Sequence, residues 1–318
     1  MTVQGENTNQ VSQILNLRAK TKALIRDYFL QHQVIEVDTP LLAKYSVTDP
    51  YMSQLEANNL QGKSHGFLQT SPEYSMKKLL CHGAGDIYQF DKAFRADESG
   101  EHHRTEFTML EWYRIGWDDQ QLMDEVHRII QLCVGSIERI DISYRDAFIR
   151  YLAIDPFTID ERELAEFATK LLGELPGNML FDNYLTLLFS TKVESQFEAN
   201  KVTFVYDFPA SQAALAKIVE TEYGLIGKRF EAYAGGLELA NGFDELTEPD
   251  TQLKRFQEEN DTRRQLGYPQ VEIDRQLIRA MERGLPACAG VALGFDRLLM
   301  LKWGVNDISR VLPLENLP

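Results

Sequence analysis

At 318 residues, 44% of them hydrophobic, the chain is long enough for one large catalytic domain or two ordinary ones, with the apolar content of a globular protein. A net charge of −15 repels phosphate backbones, which excludes broad nucleic-acid binding and suits a basic protein partner, while leaving room for one local cationic pocket. The first thirty residues show no basic start, apolar run or cleavage site, and no 18-residue apolar stretch follows, so a cytoplasmic location without a membrane anchor is expected.

Residues 1–11 are polar and expected to be disordered; residues 11–30 then place Ile14, Leu17, Leu24, Ile25 and Tyr28 near helical spacing and predict one amphipathic helix. VIEVDTP (34–40) is a β-branched alternating run that stops at Pro40. FLQTSPEYSMKKLL (67–80) predicts strand, turn and helix, with Ser71 as N-cap and Pro72 at the first helical position. Residues 86–94 and 106–114 predict two strands joined by a charged loop, and 119–134 a helix. The stretch 145–200 is helical and is taken as an insertion. VTFVYDFP (202–209) predicts a strand, and RFEAYAGGLELANGFDEL (229–246) a hairpin turning on Gly235-Gly236, since paired glycines supply positive φ. GVALGFDRLLMLKWG (290–304) predicts a strand that breaks at Gly294 into a helix. Strands joined mostly by hairpins, with helices outside, imply an α+β domain on an antiparallel sheet. Cys81, Cys133 and Cys288 are odd in number and widely spaced, so free thiols are expected and none is a candidate nucleophile.

FRADESGEHHRTEFTMLEWYR (94–114) is the most informative stretch. His102 and His103 are adjacent and point to opposite sides of an extended chain, which disfavours a shared metal ion. Asp97, Glu98 and Glu101 read either as a solvated loop or as part of a site. Period two puts Phe107, Met109, Glu111 and Tyr113 on one face, so the Glu111 carboxylate needs a cationic partner or a donor to offset desolvation. Arg95 can be that partner or can hold a phosphate bidentately. In LELANGFDEL, Glu238 and Glu245 bracket a strand; they are a polar edge, or carboxylates for Mg²⁺ and for a ligand's ammonium group. In GVALGFDR, Gly294 admits a ligand close to the backbone and Arg297 sits in the first turn of the next helix, near its electropositive end.

In this order the segments resemble the three signature motifs of class II aminoacyl-tRNA synthetases: VIEVDTPLL motif 1, FRADE through EFTMLEWYR motif 2, GVALGFDR motif 3. TSPE, EFTMLEWY and ELANGFDEL are most similar to lysyl-tRNA synthetases, over roughly residues 12–304. Only one helix precedes motif 1, where a lysyl-tRNA synthetase carries an anticodon-binding domain. The chain therefore resembles the truncated paralogues that modify elongation factor P, as do SPEYSMKKLL and FVYDFPASQAALA.

The resemblance implies that residues 12–318 form a single class II synthetase-like catalytic domain, an antiparallel sheet flanked by helices, and that the cofactors are ATP and Mg²⁺. It implies that Arg95 and Arg297 are catalytic, gripping the α-phosphate and the outer phosphates, that Phe107 stacks on adenine, and that Gly294 lies under the nucleotide. Glu238, through ATP-bound Mg²⁺, and the Leu239 backbone would hold ATP, and Asp97, in place of the family's glutamate, would reach the adenine amino group. Ser71, Pro72, Glu73, Tyr113, Glu245 and Ala292 would form the amino-acid pocket. Ala292 stands where lysyl-tRNA synthetases usually have glycine, and its methyl would favour (R)-β-lysine over lysine.

The implied reaction is ATP-dependent activation to an aminoacyl-adenylate, with pyrophosphate and AMP as products, and amide formation on a lysine of elongation factor P by a homodimer paired through motif 1. A minimal tRNA ligase and a non-catalytic binding module are the alternatives; the charge of −15 argues against the first and retention of Arg95, Glu238, Glu245 and Arg297 against the second. Arg104 departs from the family pattern and either binds phosphate or pairs with Glu98 or Glu101.

Overall fold

The computed structural model describes residues 3–176, 179–213 and 215–316. Helix α1 (Val3–Gln31) is followed by β1 (Ile35–Glu36), by a small antiparallel sheet of β2 (Leu42–Ala43), β3 (Glu56–Asn58) and β4 (Ser64–Leu68), and by α2 (Glu73–Cys81). Next come β5 (Ile87–Phe94), β6 (Glu106–Ile115), α3 (Asp119–Val134) and β7 (Glu138–Ser143). Helices α4 (Tyr144–Leu152), α5 (Glu161–Leu172) and α6 (Phe181–Leu188) precede β8 (Lys201–Pro209), β9 (Ile218–Thr221), β10 (Gly224–Ala234) and β11 (Leu237–Asp244). The chain closes with α7 (Pro249–Gln265), α8 (Arg275–Met281), β12 (Cys288–Gly294) and α9 (Phe295–Trp303).

One large sheet, ordered β1-β5-β6-β12-β11-β10-β8-β7 with β9 on β10, carries the domain. Its pairs are antiparallel except at the two ends, where β1–β5 and β7–β8 run parallel. Strand β6 shows why the sequence folds this way. Its even residues Leu110 and Trp112 join a core with Ile25 and Phe29 of α1, Val126 and Ile129 of α3, and Leu298 of α9. Its odd residues Met109, Glu111 and Tyr113 face a cavity on the other side. The Trp112 indole N–H donates to Glu125 at 2.9 Å, so even this deep side chain keeps its donor satisfied. Each such large apolar side chain contributes about 1.5–3 kcal/mol by leaving water.

The hairpin turns on Gly235 and Gly236 at φ 62° and 75°, a region other residues seldom enter. Helices α4 and α6, with the turn after α6, pack Tyr144, Phe148, Leu185 and Phe189 against Phe208 and Tyr233 of the sheet; residues 177–178 lie outside the described residues.

Three local expectations need correction. Helix α1 already includes residues 3–11, where disorder was expected; residues 1–2 lie outside the description. Once turns around the buried Ile14 and Ile25 are fixed, each further residue adds a backbone hydrogen bond, and no proline interrupts it. Motif 1 is a strand only over Ile35–Glu36, because beyond the bond from Val37 N to Tyr88 O it turns away toward Pro40, which has no N–H to donate. At α2 the cap is Pro72 and the first helical residue is Glu73, whose N–H reaches Ser71 Oγ at 3.4 Å; Ser71 is shifted one place outward.

Candidate active site

Two adjoining cavities open on the odd face of β6 and share Met109, Arg95, Arg229, Asn241 and Ala292. The first, about 240 Å³, is lined by Ser71, Glu73, Glu111, Tyr113, Glu245 and Gly290. Pairing across the sheet builds it: Gly290 sits between Tyr113 and Phe243, and Ala292 between Glu111 and Asn241. The Tyr113 hydroxyl donates to Glu111 Oε1 at 2.8 Å, while the buried Glu111 Oε2 has no partner. Behind the pocket, Lys77 is 1% exposed, and its Nζ lies 2.6 Å from both Glu73 Oε1 and Glu245 Oε2.

These charges set each other. Burial, then the neighbouring Glu73, pushes Glu111 well above the usual carboxylate range. Burial pushes Glu245 up to about 8 against the pull of the Lys77 ammonium. Burial also pulls Lys77 down, but Glu245 and Glu73 outweigh it and hold the ammonium charged. Five carboxylates, Asp49, Glu73, Glu111, Glu245 and Glu259, line this cavity beside Arg95 and Arg229, and the unpartnered Glu111 oxygen is the kind of acceptor an entering ammonium would satisfy.

The second cavity, about 370 Å³, is lined by Phe107, Glu238, Leu239, Gly294 and Arg297. The Arg95 guanidinium lies 5.2 Å over the Phe107 ring and 3.3 Å from Glu98, with its buried Nε unpartnered. Arg297 donates to Glu238 O at 2.7 Å and meets His103 Nε2 at 2.6 Å. Burial and that guanidinium hold His103 below its ordinary pKa, as fits a neutral acceptor. A Cβ built on Gly294, whose φ is −68°, would make only ordinary contacts of 3.6–3.8 Å with Arg297, so the fold itself tolerates alanine there.

Beneath this floor Arg18 of α1 pairs with Asp296 at 2.5 Å and donates to Thr108 Oγ1 at 3.0 Å, while Asp296 accepts from Thr108 N at 2.6 Å. The knot fixes motif 3 and motif 2 together. Glu231 and Glu238 face the cavity from the β10–β11 hairpin, and Glu231 is held by Arg229, Tyr233 and Asn241. Protein surroundings, then the Glu231 charge, push Glu238 up to about 7. Two carboxylates near a phosphate-sized space suit a divalent cation carried by a nucleotide.

The structure brings the predicted residues together with two exceptions. Asp97 is exposed and lines neither cavity; the loop carboxylate beside Arg95 is Glu98. Pro72 is buried as the cap of α2 and lines neither. Arg104 binds neither Glu98 nor Glu101: it pairs with Glu315 at 2.7 Å, strapping the loop to the C-terminal turn. Lys77, Arg229, Glu231 and Asn241 went unselected. Only Lys77 carried a local signal, its i,i+4 spacing from Glu73. The three cysteines are free, and burial pushes Cys133 up to about 11 and Cys288 higher, so neither of these two is a ready thiolate.

A family model described as tRNA synthetases class II (D, K and N) matches residues 3–316. The chain belongs to the class II aminoacyl-tRNA synthetase family. Within this family it is similar to the elongation factor P–(R)-β-lysine ligase of Yersinia enterocolitica serotype O:8, 45% identical over 93% of this chain and 92% of the relative. The proteins of that name from Vibrio vulnificus and Hamiltonella defensa are 46% and 44% identical, over 93% and 94% of this chain and 94% of each relative. As a class II synthetase-like ligase it uses ATP.

Proposed function

We propose that the chain activates (R)-β-lysine, or lysine, with ATP and joins it to a lysine side chain of elongation factor P. The observation that carries this reading is the carboxylate-lined pocket set against the Arg95–Arg297 cavity, with Ala292 in the wall they share. Ser71, Glu73, Glu111, Tyr113 and Glu245 hold the ammonium groups, and the substrate carboxylate points toward Arg95. Its oxygen attacks the α-phosphorus and pyrophosphate leaves; Arg95 and Arg297 screen the approach of two anions and align them. Phe107, Leu239 and Gly294 hold the nucleoside. Glu231 and Glu238 would hold Mg²⁺, which supplies further neutralisation of phosphate charge. The acceptor amine, having lost its proton, then attacks the adenylate carbonyl; the amide forms and AMP departs.

A third cavity of about 730 Å³ supports a cationic acceptor. It adjoins the nucleotide site through Glu231 and Glu238, and Asp182, Glu194, Glu258 and Glu259 also line it. Burial, then Glu231, pushes Glu194 up to about 6. The test is ATP–pyrophosphate exchange over a panel of amino acids, followed by transfer to elongation factor P and to tRNA. Glu194→Gln with Glu258→Gln should cut protein transfer several-fold and leave exchange unchanged; efficient tRNA charging instead would favour the tRNA ligase.

Ala292→Gly should move the ratio of kcat/KM for (R)-β-lysine over lysine toward lysine, by about 10-fold or more, if the methyl is worth 1–3 kcal/mol in a tight wall. An unchanged ratio in a stable variant would remove Ala292 from the specificity set. We place the reaction in the cytoplasm; among the described residues no helix is long and apolar enough to cross a membrane. The exposed Ile35, Leu41 and Leu42 of motif 1 fit a two-fold interface. Sedimentation at micromolar concentration should give twice 36.5 kDa, and a monomer would contradict the pairing.

A further inference from the structure

Lys77 is a charged residue the reaction scheme leaves unused. It stands on the inward face of α2 between the buried Met76 and Leu80, behind the amino-acid cavity and not in its lining. Burying an ammonium there costs several kcal/mol before its partners offset it, whereas an apolar residue would pack α2 without that penalty. Its partners, Glu73 and Glu245, are the two carboxylates that do line the cavity, one on α2 and the other just after β11. They come from segments far apart in sequence, and the ammonium 2.6 Å from each is what ties them.

We propose that Lys77 is a positioning residue whose buried ammonium keeps Glu73 and Glu245 aligned and available as anions for the amino groups of the incoming amino acid. Resting on the proposed amino-acid activation, this deepens it in one respect. Lys77 holds two of the cavity's carboxylates at one fixed spacing, which suits a substrate bearing two amino groups. Lys77 thus sets the spacing of these two carboxylates without itself lining the cavity.

The other titratable groups around the pair are Tyr74 and Cys81 of α2, Glu111 and Tyr113 of β6, Asp244 of β11, Glu259 of α7 and Cys288 of β12. Asp49, Arg95 and Arg229 line the same cavity, but Lys77 is the cation 2.6 Å from both carboxylates, so the sign follows. Its loss raises the pKa of Glu245, and protons compete with the substrate there up to a higher pH.

Exchange kinetics with (R)-β-lysine across neutral and mildly alkaline pH test this in Lys77→Met. The acidic limb of kcat/KM should move up by about 1–3 pH units, the range an adjacent opposite charge typically produces. The KM for ATP should stay within about twofold, as the nucleotide cavity lies elsewhere. Lys77→Arg keeps the charge and should keep the limb within half a unit of wild type. A methionine variant with an unmoved limb, or with equal losses for both substrates, marks a mere prop and overturns the proposal. Should the methionine protein not fold, an arginine variant whose limb moves by a unit or more overturns it equally. Wild-type protein inactive with every diamino acid would instead defeat the functional reading, a result separable from these.

Discussion

Arg297→Ala should reduce ATP–pyrophosphate exchange by roughly 10²–10³-fold, the usual loss when one group stabilising transition-state charge is removed. The side chain enters the nucleotide cavity from the first turn of α9, and its partners are the carbonyl of Glu238 and the ring of His103. Those contacts also tie the motif 2 loop to β11, so a loosened loop would mimic lost catalysis. Arg297→Lys separates the two, because a lysine keeps a charge but loses the fork that reaches both partners. Partial recovery with lysine, at unchanged thermal stability, points to phosphate charge. Unchanged exchange in a folded alanine variant removes Arg297 from the site.

Gly290→Ala should empty the amino-acid pocket while sparing the nucleotide side. A Cβ there would stand 2.5 Å from Glu245 Oε1 and no farther from the Tyr113 ring, on a strand pinned between β6 and β11. Neither neighbour can withdraw without losing its own partner, Glu111 for Tyr113 and Lys77 for Glu245. We expect kcat/KM for the amino acid to fall at least 100-fold, with about 1–3 kcal/mol of stability lost to overpacking. ATP affinity, measured by calorimetry, should hold. Equal weakening of both ligands would show that the strand as a whole had shifted.

Much of this was legible in the residues themselves. The alternation of β6 separates core from cavity, since Leu110 and Trp112 can only go one way while Glu111 and Tyr113 go the other. The paired glycines fixed the hairpin that presents Glu238. What stayed hidden depends on distance along the chain. Arg104 finds Glu315, 211 residues away, and no local pattern announces such a partner. Lys77 sits in a run that reads as the polar face of a helix, and a buried lysine becomes plausible only once Glu245 is seen beside it. Asp97 was placed by analogy with a longer side chain, and the loop turns Glu98 toward Arg95 instead.

The bond from Arg18 to Asp296 has a practical meaning for anyone redesigning this scaffold. Asp296 is 1% exposed, and Arg18 is the cation paired with it, delivered by a helix that precedes motif 1 altogether. Trimming the polypeptide back to its signature motifs would strand that carboxylate in an apolar interior, a loss of about 3–5 kcal/mol for a broken buried pair. It would do so directly under the strand that carries Phe107 and the helix that carries Arg297. The leading helix is therefore part of the smallest workable catalytic unit, and a graft or minimised version has to take it along.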